Sequence, residues 1–371
     1  MGISYCARRQ VFHLAGGNVS YILGLWEGRY PLTLYWGARL ATDDVDGLWT
    51  DYPNLSSFDL IAHRLPMEYP TGALGDMRPT ACRVRGAQGD TSTCLAYVDH
   101  DILPGKPALP GLPATYVEAD GEAQTLRLTL RDDRTGLIAR LSYTIYEDSG
   151  AIARSVQFVN EGGEAVQLLE AASASVDLYG TDWELLHLWG GWAMERTPER
   201  TPVLHGVQSL SSRRGASGHE HNPFVALLRP ETTESQGEVY AMSLVYSGDF
   251  AIRCGANAYE STRLVAGLNP ESFSWRLEAG ESFQTPEAVL VYADGGLNAM
   301  SQVYHRLYRQ RLCRGRWRDQ PRPILVNNWE ATYFDFDEDK LLAIARKAAD
   351  MGIELFVLDD GWFGHRDLDN S

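Results

Sequence analysis

No stretch of this sequence approaches the roughly 20 consecutive apolar residues of a membrane-spanning helix. The opening run Met1-Gly-Ile-Ser-Tyr-Cys-Ala-Arg-Arg-Gln10 contains no hydrophobic region of the signal-peptide type. Cysteine is scarce and ill-placed for cross-linking. Cys6, Cys82, Cys94, Cys254 and Cys313 are odd in number, widely spaced and without a CxxC pair, which argues against a disulfide scaffold and a zinc ribbon. A reduced, cytoplasmic setting is expected, with no metal and no cofactor. Basic residues are outnumbered, 33 Lys and Arg against 49 Asp and Glu, for a formal charge of −16. Nucleic acid and anionic membranes both need clustered cations, so neither is expected as a partner. The charge suits a neutral or cationic small molecule. There is no GxSxG elbow and no glycine-rich phosphate loop opening a helix.

Helical periodicity is also nearly absent before residue 295. Short apolar stretches broken by glycine come first: Val11 to Leu14, Val19 to Leu23 and Leu32 to Trp36. From Asp43 to Pro79 the pattern fails, and a long surface loop is expected. It carries Trp49, Tyr52, Phe58 and Met67, which pack either on their own domain or over another subunit or site. Alternation then returns. Leu126, Leu128 and Leu130 interleave with Arg127, Thr129 and Arg131, and Asp132 to Gly136 and Asn160 to Gly163 are turns. Further strands are expected at 137–147, 152–160, 239–246, 250–256, 263–268, 273–278 and 288–293. Many strands with glycine-rich turns predict a large antiparallel sandwich within a chain of two or three domains.

The period changes at Gly295-Gly296. Met300, Val303, Tyr304, Leu307, Tyr308 and Arg311 fall on one face of a helix expected to leave the sandwich. The nearby arginines, Arg309 to Arg318, read as a solvated face. Gln320-Pro-Arg-Pro323 is an extended hinge. Beyond it, Ile324 to Val326 and Leu355 to Leu358 are unbroken apolar runs, suited to strands buried on both faces of a parallel sheet. Between them Asp337 can cap a helix carrying Leu341, Leu342, Ile344, Ala345, Ala348 and Met351, closed by Gly352. The unit is βαβ, and its strands end in Asn327-Asn-Trp-Glu330 and Asp359-Asp-Gly-Trp362. Ligand sites of parallel α/β folds lie at such strand ends. Amides, carboxylates and indoles gathered there suit a sugar. On the residues alone, Asp359 and Asp360 are a sugar-binding pair, a divalent metal site or a solvated turn. Trp329 packs on a sugar or caps the core, and Glu330 is a supporting carboxylate. His219-Glu-His221 has the spacing of two metal ligands on one strand face but no third ligand nearby.

The runs Asn327-Asn-Trp-Glu-Ala-Thr-Tyr-Phe-Asp-Phe336 and Leu358-Asp-Asp-Gly-Trp-Phe-Gly364 resemble the start of the catalytic barrel in glycoside hydrolase family 36 α-galactosidases. Upstream, 112–118, 213–217, 222–224, 237–240 and 246–248 are similar to that family's N-terminal β-supersandwich. The resemblance implies a mainly β fold: a supersandwich over 1–294, a linker helix and hinge over 295–322, and the first βαβ segment of a (β/α)8 barrel over 323–371. It implies a retaining hydrolase acting on terminal α-linked galactose, as in melibiose or raffinose. Asp359 and Asp360 would hold galactose hydroxyls, and Trp329 would pack on the ring. Trp192, in a segment like the family's Gly-Ala-Trp-x-x-Glu-Arg stretch from which Trp189 and Gly191 depart, would reach the substrate from the sandwich. Core packing is its alternative role. Asp51 would meet the substrate from a neighbouring subunit of a homo-oligomer, a tetramer in the family. Nucleophile and acid/base, which sit about 5–5.5 Å apart in retaining enzymes, would lie on later strands, beyond Ser371, so no catalytic residue is expected within the chain itself. A (β/α)8 barrel takes about 250 residues, and only thirteen follow Leu358. The parent protein is therefore expected to continue past Ser371, and the sequence to be its N-terminal part, inactive by itself. The alternatives are a non-catalytic sugar-binding or assembly module, a related α-N-acetylgalactosaminidase and a galactosyl transferase.

Overall fold

The computed structural model describes residues 2–40, 45–49, 61 and 64–370. The chain divides into two compact units, residues 1–312 and 313–371.

The first unit is built from antiparallel strands. A four-stranded meander opens it: β1 (Gly2–Cys6), β2 (Val11–Gly16), β3 (Val19–Trp26) and β4 (Tyr30–Ala38). Next come β5 (Cys82–Arg85), β6 (Ala96–Pro104), β7 (Ala123–Asp132), β8 (Leu137–Tyr146), β9 (Ile152–Asn160) and β10 (Val166–Tyr179). They are followed by β11 (Glu184–Trp189), β12 (Thr197–Pro202), β13 (Gln208–Ser211), β14 (His221–Leu228) and β15 (Val239–Val245). The last are β16 (Phe250–Ala256), β17 (Ser261–Leu268), β18 (Trp275–Leu277), β19 (Ser282–Gln284) and β20 (Glu287–Ala293). One sheet of ten strands runs β12-β11-β14-β15-β20-β9-β8-β7-β6, with β19 also on β9. A second, of six, runs β13-β16-β17-β10-β18, with β5 also on β10. Alternation decides which side chains face the core. In β8, Leu137, Ala139, Leu141 and Tyr143 are buried in the main apolar cluster, which draws on all three sheets. Arg140, Ser142 and Thr144 stand on the opposite face.

That core also holds charge. Glu68 is fully buried and accepts hydrogen bonds from Tyr21 Oη at 2.7 Å, Tyr143 Oη at 2.8 Å and the Thr33 hydroxyl. Its counter-ion is Arg154 Nη2 at 3.1 Å. Arg154 lies over the Tyr143 ring and donates to Ser175 O at 2.6 Å, so one network stitches the meander to both larger sheets. In a second cluster Arg263 grips Asp177 through Nε and Nη2 at 2.6 and 2.8 Å and reaches Asp76 at 2.8 Å. Arg78 also bridges Asp76 and Asp177. Buried ions persist only when paired and hydrogen-bonded, and here every carboxylate has several donors.

Met67 is buried with Tyr30, Leu32 and Leu65, and Trp49 packs against that cluster. These two aromatic and apolar groups of the long loop therefore cover their own unit. Tyr52 and Phe58 lie outside the described residues, as do Asp51 and the last residue, Ser371.

Helix α1 (Gly296–Arg311) does not leave the sandwich. Met300, Tyr304 and Leu307 are buried against Val289, Val291 and other outward residues of the ten-stranded sheet, and Tyr304 Oη donates to Val289 O at 2.9 Å. An apolar stripe of this width needs a surface, and the apolar outer face of β15 and β20 supplies it.

In the second unit, β21 (Leu325–Asn327) and β22 (Leu355–Val357) pair in parallel, with Leu325 opposite Leu355 and Asn327 opposite Val357. The short helix α2 (Trp329–Thr332) and α3 (Glu338–Asp350) lie between them in sequence. Asp337 caps α3 by accepting from Lys340 N at 2.9 Å, and Gly352 takes φ +84° at its end. The expectation of strands buried on both faces is not met in this chain. Ile324, Leu325, Leu355 and Leu358 are all exposed, because two strands and one crossover do not offer enough surface to cover both sides.

Candidate functional site

The parallel register brings the ends of β21 and β22 side by side, so Asn327, Asn328, Asp359 and Asp360 form one polar cluster. Asn328 is its fully buried centre. Its side-chain oxygen accepts from Asp359 N at 2.8 Å, and its side-chain nitrogen donates to Thr332 Oγ1 at 3.0 Å. Asn327 uses both ends of its amide: Nδ2 donates to Asp359 Oδ2, and Oδ1 accepts from Trp329 N at 2.7 Å. Asp359 Oδ1 also accepts from Asp360 N at 2.8 Å. The Asp360 carboxylate is held by Arg366 Nε and by Gly361 N at 2.8 Å. The hydrogen bond from Arg366 keeps Asp360 below the usual carboxylate range, against a smaller opposing effect of burial. It is therefore an ionised acceptor at neutral pH, suited to hydroxyl donors.

Trp329 stands edge-on to Tyr333 and Phe334, at ring separations of 5.3 and 4.9 Å. Tyr333 closes α2 at φ +47° and donates to Trp329 O at 2.7 Å. Its hydroxyl donates to Glu330 at 3.2 Å. Gly361 is required where it stands. Its φ is +90°, and a Cβ there would meet the Phe334 and Phe336 rings at 3.0–3.4 Å. An aromatic shelf thus sets the path of the chain past Asp360.

The sandwich unit holds Trp192 in the loop between β11 and β12. Trp192 is 88% exposed, so it is no core residue. The loop is shaped by Ala193 at φ +62° and Arg196 at φ +59°, and by Gly190, whose Cβ would lie 2.3 Å from Met194 O. At the loop's base is an open cleft of about 1,090 Å³, lined by His187, Trp189, Glu199, Arg213, Glu220 and His221 among others. His187 and His221 face each other with ring centroids 6.3 Å apart, and Nδ1 of each is buried without a hydrogen bond. Burial, with a smaller push from His221, holds the His187 imidazole below its ordinary value despite Glu199. Sequence reasoning did not find this pair, because one ring stands on β11 and the other on β14. His219 precedes β14, so it and His221 do not share a strand face. Of the residues that orient the carboxylates, Asn328 belongs to the strand-end run that the sequence singled out, whereas Arg366 was missed because it falls in a stretch with no local pattern.

The profile described as "Glycosyl hydrolase family 36 N-terminal domain" matches residues 29–278, and "Melibiase" matches 282–371. The chain belongs to glycosyl hydrolase family 36. Among curated family 36 relatives, alpha-galactosidase AgaA of Geobacillus stearothermophilus is 48% identical over 376 aligned residues, spanning 100% of this chain and 52% of that protein. The solved structure of AgaB from the same organism superposes with a TM-score of 0.93 at 49% identity, again over 100% of this chain and 52% of the other. An AgaA variant in complex with raffinose gives 0.91 at 49% identity, over 97% and 51%. The chain spans about half the length of the relatives it matches. Their likeness supports a mostly β family 36 fold.

Proposed function

We propose that this chain supplies the sugar-recognition part of a retaining α-galactosidase that releases terminal α-linked galactose from oligosaccharides of the raffinose type. The observation that carries the reading is the carboxylate pair at the end of β22, next to the amides at the end of its parallel neighbour β21, with Asp360 held ionised by Arg366. Asp359 and Asp360 accept hydrogen bonds from galactose hydroxyls, and a charged acceptor fixed in place discriminates between epimers. Trp329 packs on the C–H face of the ring. Asp360 does not act as the acid, since an ionised carboxylate has no proton to give. Nucleophile and acid/base are assigned to the half of the family's length that this chain does not span, and without them the chain binds but does not hydrolyse. Trp192, on its exposed loop, adds an aromatic surface from the sandwich, and Asp51 reaches a neighbouring copy's site in a homo-oligomer, a tetramer. Five cysteines, odd in number and widely spaced, suit a reducing, cytoplasmic setting. The functional divisions are 1–294, 295–322 and 323–371.

Calorimetric titration of galactose into the chain tests this. Asp360→Asn is expected to weaken binding about tenfold or more, with glucose, the C4 epimer, binding less well than galactose. Absence of galactose binding by the unmodified chain, or affinity unchanged in both Asp359→Asn and Asp360→Asn, overturns the recognition reading. Robust hydrolysis of an aryl α-galactoside by this chain alone overturns the assignment of the catalytic carboxylates elsewhere.

A further inference from the structure

A second site lies in the sandwich unit, on the face of the ten-stranded sheet turned away from the main core. It is a pocket of about 240 Å³, roofed by the segment Lys106 to Pro110 and floored by β7, β8 and β9. Strand register builds the floor. Arg127 pairs with Ser142, and Ser142 with Ser155. In the next row Arg140 pairs with Gln157, and Gln157 with Gln284. Alternation puts all six on one face.

The charges in and around this pocket do not cancel. Glu287 is saturated: Lys106 Nζ meets Oε2 at 2.6 Å, and Oε1 accepts from Thr115 N and Oγ1 at 2.8 and 2.6 Å. Arg127 is paired with Asp101 at 2.8 Å. Arg140 donates to Gln157 Oε1 at 3.2 Å and has no carboxylate partner among the described residues. One positive charge is thus left over on a chain whose net charge is −16. Ser155 is only 6% exposed and lines the pocket beside Ser142. Gln284 Nε2 is already committed to Val156 O and Thr285 O. Gln157 keeps its amide nitrogen to donate, because only its oxygen is used by Arg140.

We propose that this pocket binds a phosphate-type oxyanion. Arg140 supplies the charge, and the side chains of Ser142, Ser155 and Gln157 supply the remaining donors. The volume is below the roughly 300–1,000 Å³ of pockets for drug-sized ligands, which limits the occupant to a small group. A neutral sugar would leave the guanidinium without a counter-charge. An oxyanion neutralises it and accepts from the serine hydroxyls that line the pocket. This site is independent of the galactose site and of the function assigned to it.

The test is calorimetry and thermal unfolding of the 371-residue chain with inorganic phosphate, against chloride at matched ionic strength. Phosphate is expected to bind and to raise the unfolding temperature where chloride does not. Arg140→Gln is expected to raise Kd about tenfold or more, and Ser155→Ala to weaken binding by a smaller factor. Arg276→Gln, an exposed control outside the pocket, should change nothing. A hexose 6-phosphate that binds more tightly than phosphate through Arg140 points to a sugar phosphate as the natural occupant, and equal affinity points to free phosphate. Equal stabilisation by chloride, or undiminished phosphate binding in folded Arg140→Gln and Ser155→Ala proteins, overturns the proposal.

Discussion

Replacing Glu68 by glutamine keeps the side chain's shape and removes one buried charge. Glu68 gathers Tyr21, Thr33, Tyr143 and Arg154 around a single carboxylate with no solvent exposure. Glutamine turns one acceptor oxygen into an NH2 group facing a hydroxyl and a guanidinium that both need an acceptor. Arg154 is left with Ser175 O, the Tyr21 and Tyr143 hydroxyls and the Tyr143 ring, but no counter-ion. Removing one partner of a buried ion pair costs about 3–5 kcal/mol. The unit has 312 residues, and at about 2.1 cal/mol/K per residue of unfolding entropy this corresponds to a fall in Tm of roughly 5–8 °C. Differential scanning calorimetry of Glu68→Gln reads the shift directly. The double variant Glu68→Gln/Arg154→Met should be more stable than the two single losses summed predict, because the second change removes the orphaned charge. A Tm within about 1 °C of the parent (a cut set well below the expected fall), or strictly additive losses, would refute the claim that this pair is mutually dependent.

Three other outcomes are expected. Gly296→Ala should destabilise the sandwich, since Gly296 sits at φ +78° with a Cβ position 2.5 Å from Thr233 O and 2.6 Å from Gln236 N; chemical denaturation should show a loss of about 1 kcal/mol or more. His187 makes stability depend on pH with a definite sign. Its folded pKa is lowered by burial, so below about 6.5 the unfolded chain binds more protons. Stability should therefore fall as pH drops through that value and level off beneath the folded pKa, and urea titrations at stepped pH should show a flatter profile for His187→Gln. In the native protein Ellman's reagent should react quickly with exposed Cys6 and Cys313 and not with Cys82 or Cys254. Burial raises the thiol pKa of both, that of Cys254 to about 12; rapid labelling of either without denaturant contradicts the packing.

Local pattern carried much of this molecule. The alternation at Leu126, Leu128 and Leu130 fixed which face of β7 is buried, and Asp337 and Gly352 bounded α3, because caps and strand faces depend on neighbours only a few residues away. The strand β10 was not legible. Its run Ala171-Ala-Ser-Ala-Ser175 has no alternation, since small residues are needed where both faces are tightly packed. Glu170 and Asp177 on the same strand are buried against Arg253 and Arg263. Their partners lie more than 80 residues away, and sequence spacing says nothing about them.

The site divides in the same way. Sequence alone singled out Asp359, Asp360 and Trp329, because strand ends in a βαβ unit are set by a local rule, and it singled out Trp192 by resemblance. Only the tertiary structure decided that Asn327 and Asn328 cross from one strand end to orient Asp359, that Arg366 turns back to keep Asp360 ionised, and that Trp192 is held outside the core. The pocket around Arg140 and Ser155 was equally out of reach. Whether a guanidinium has a counter-ion depends on which strands pair and in what register, and those are long-range contacts that the order of residues does not display.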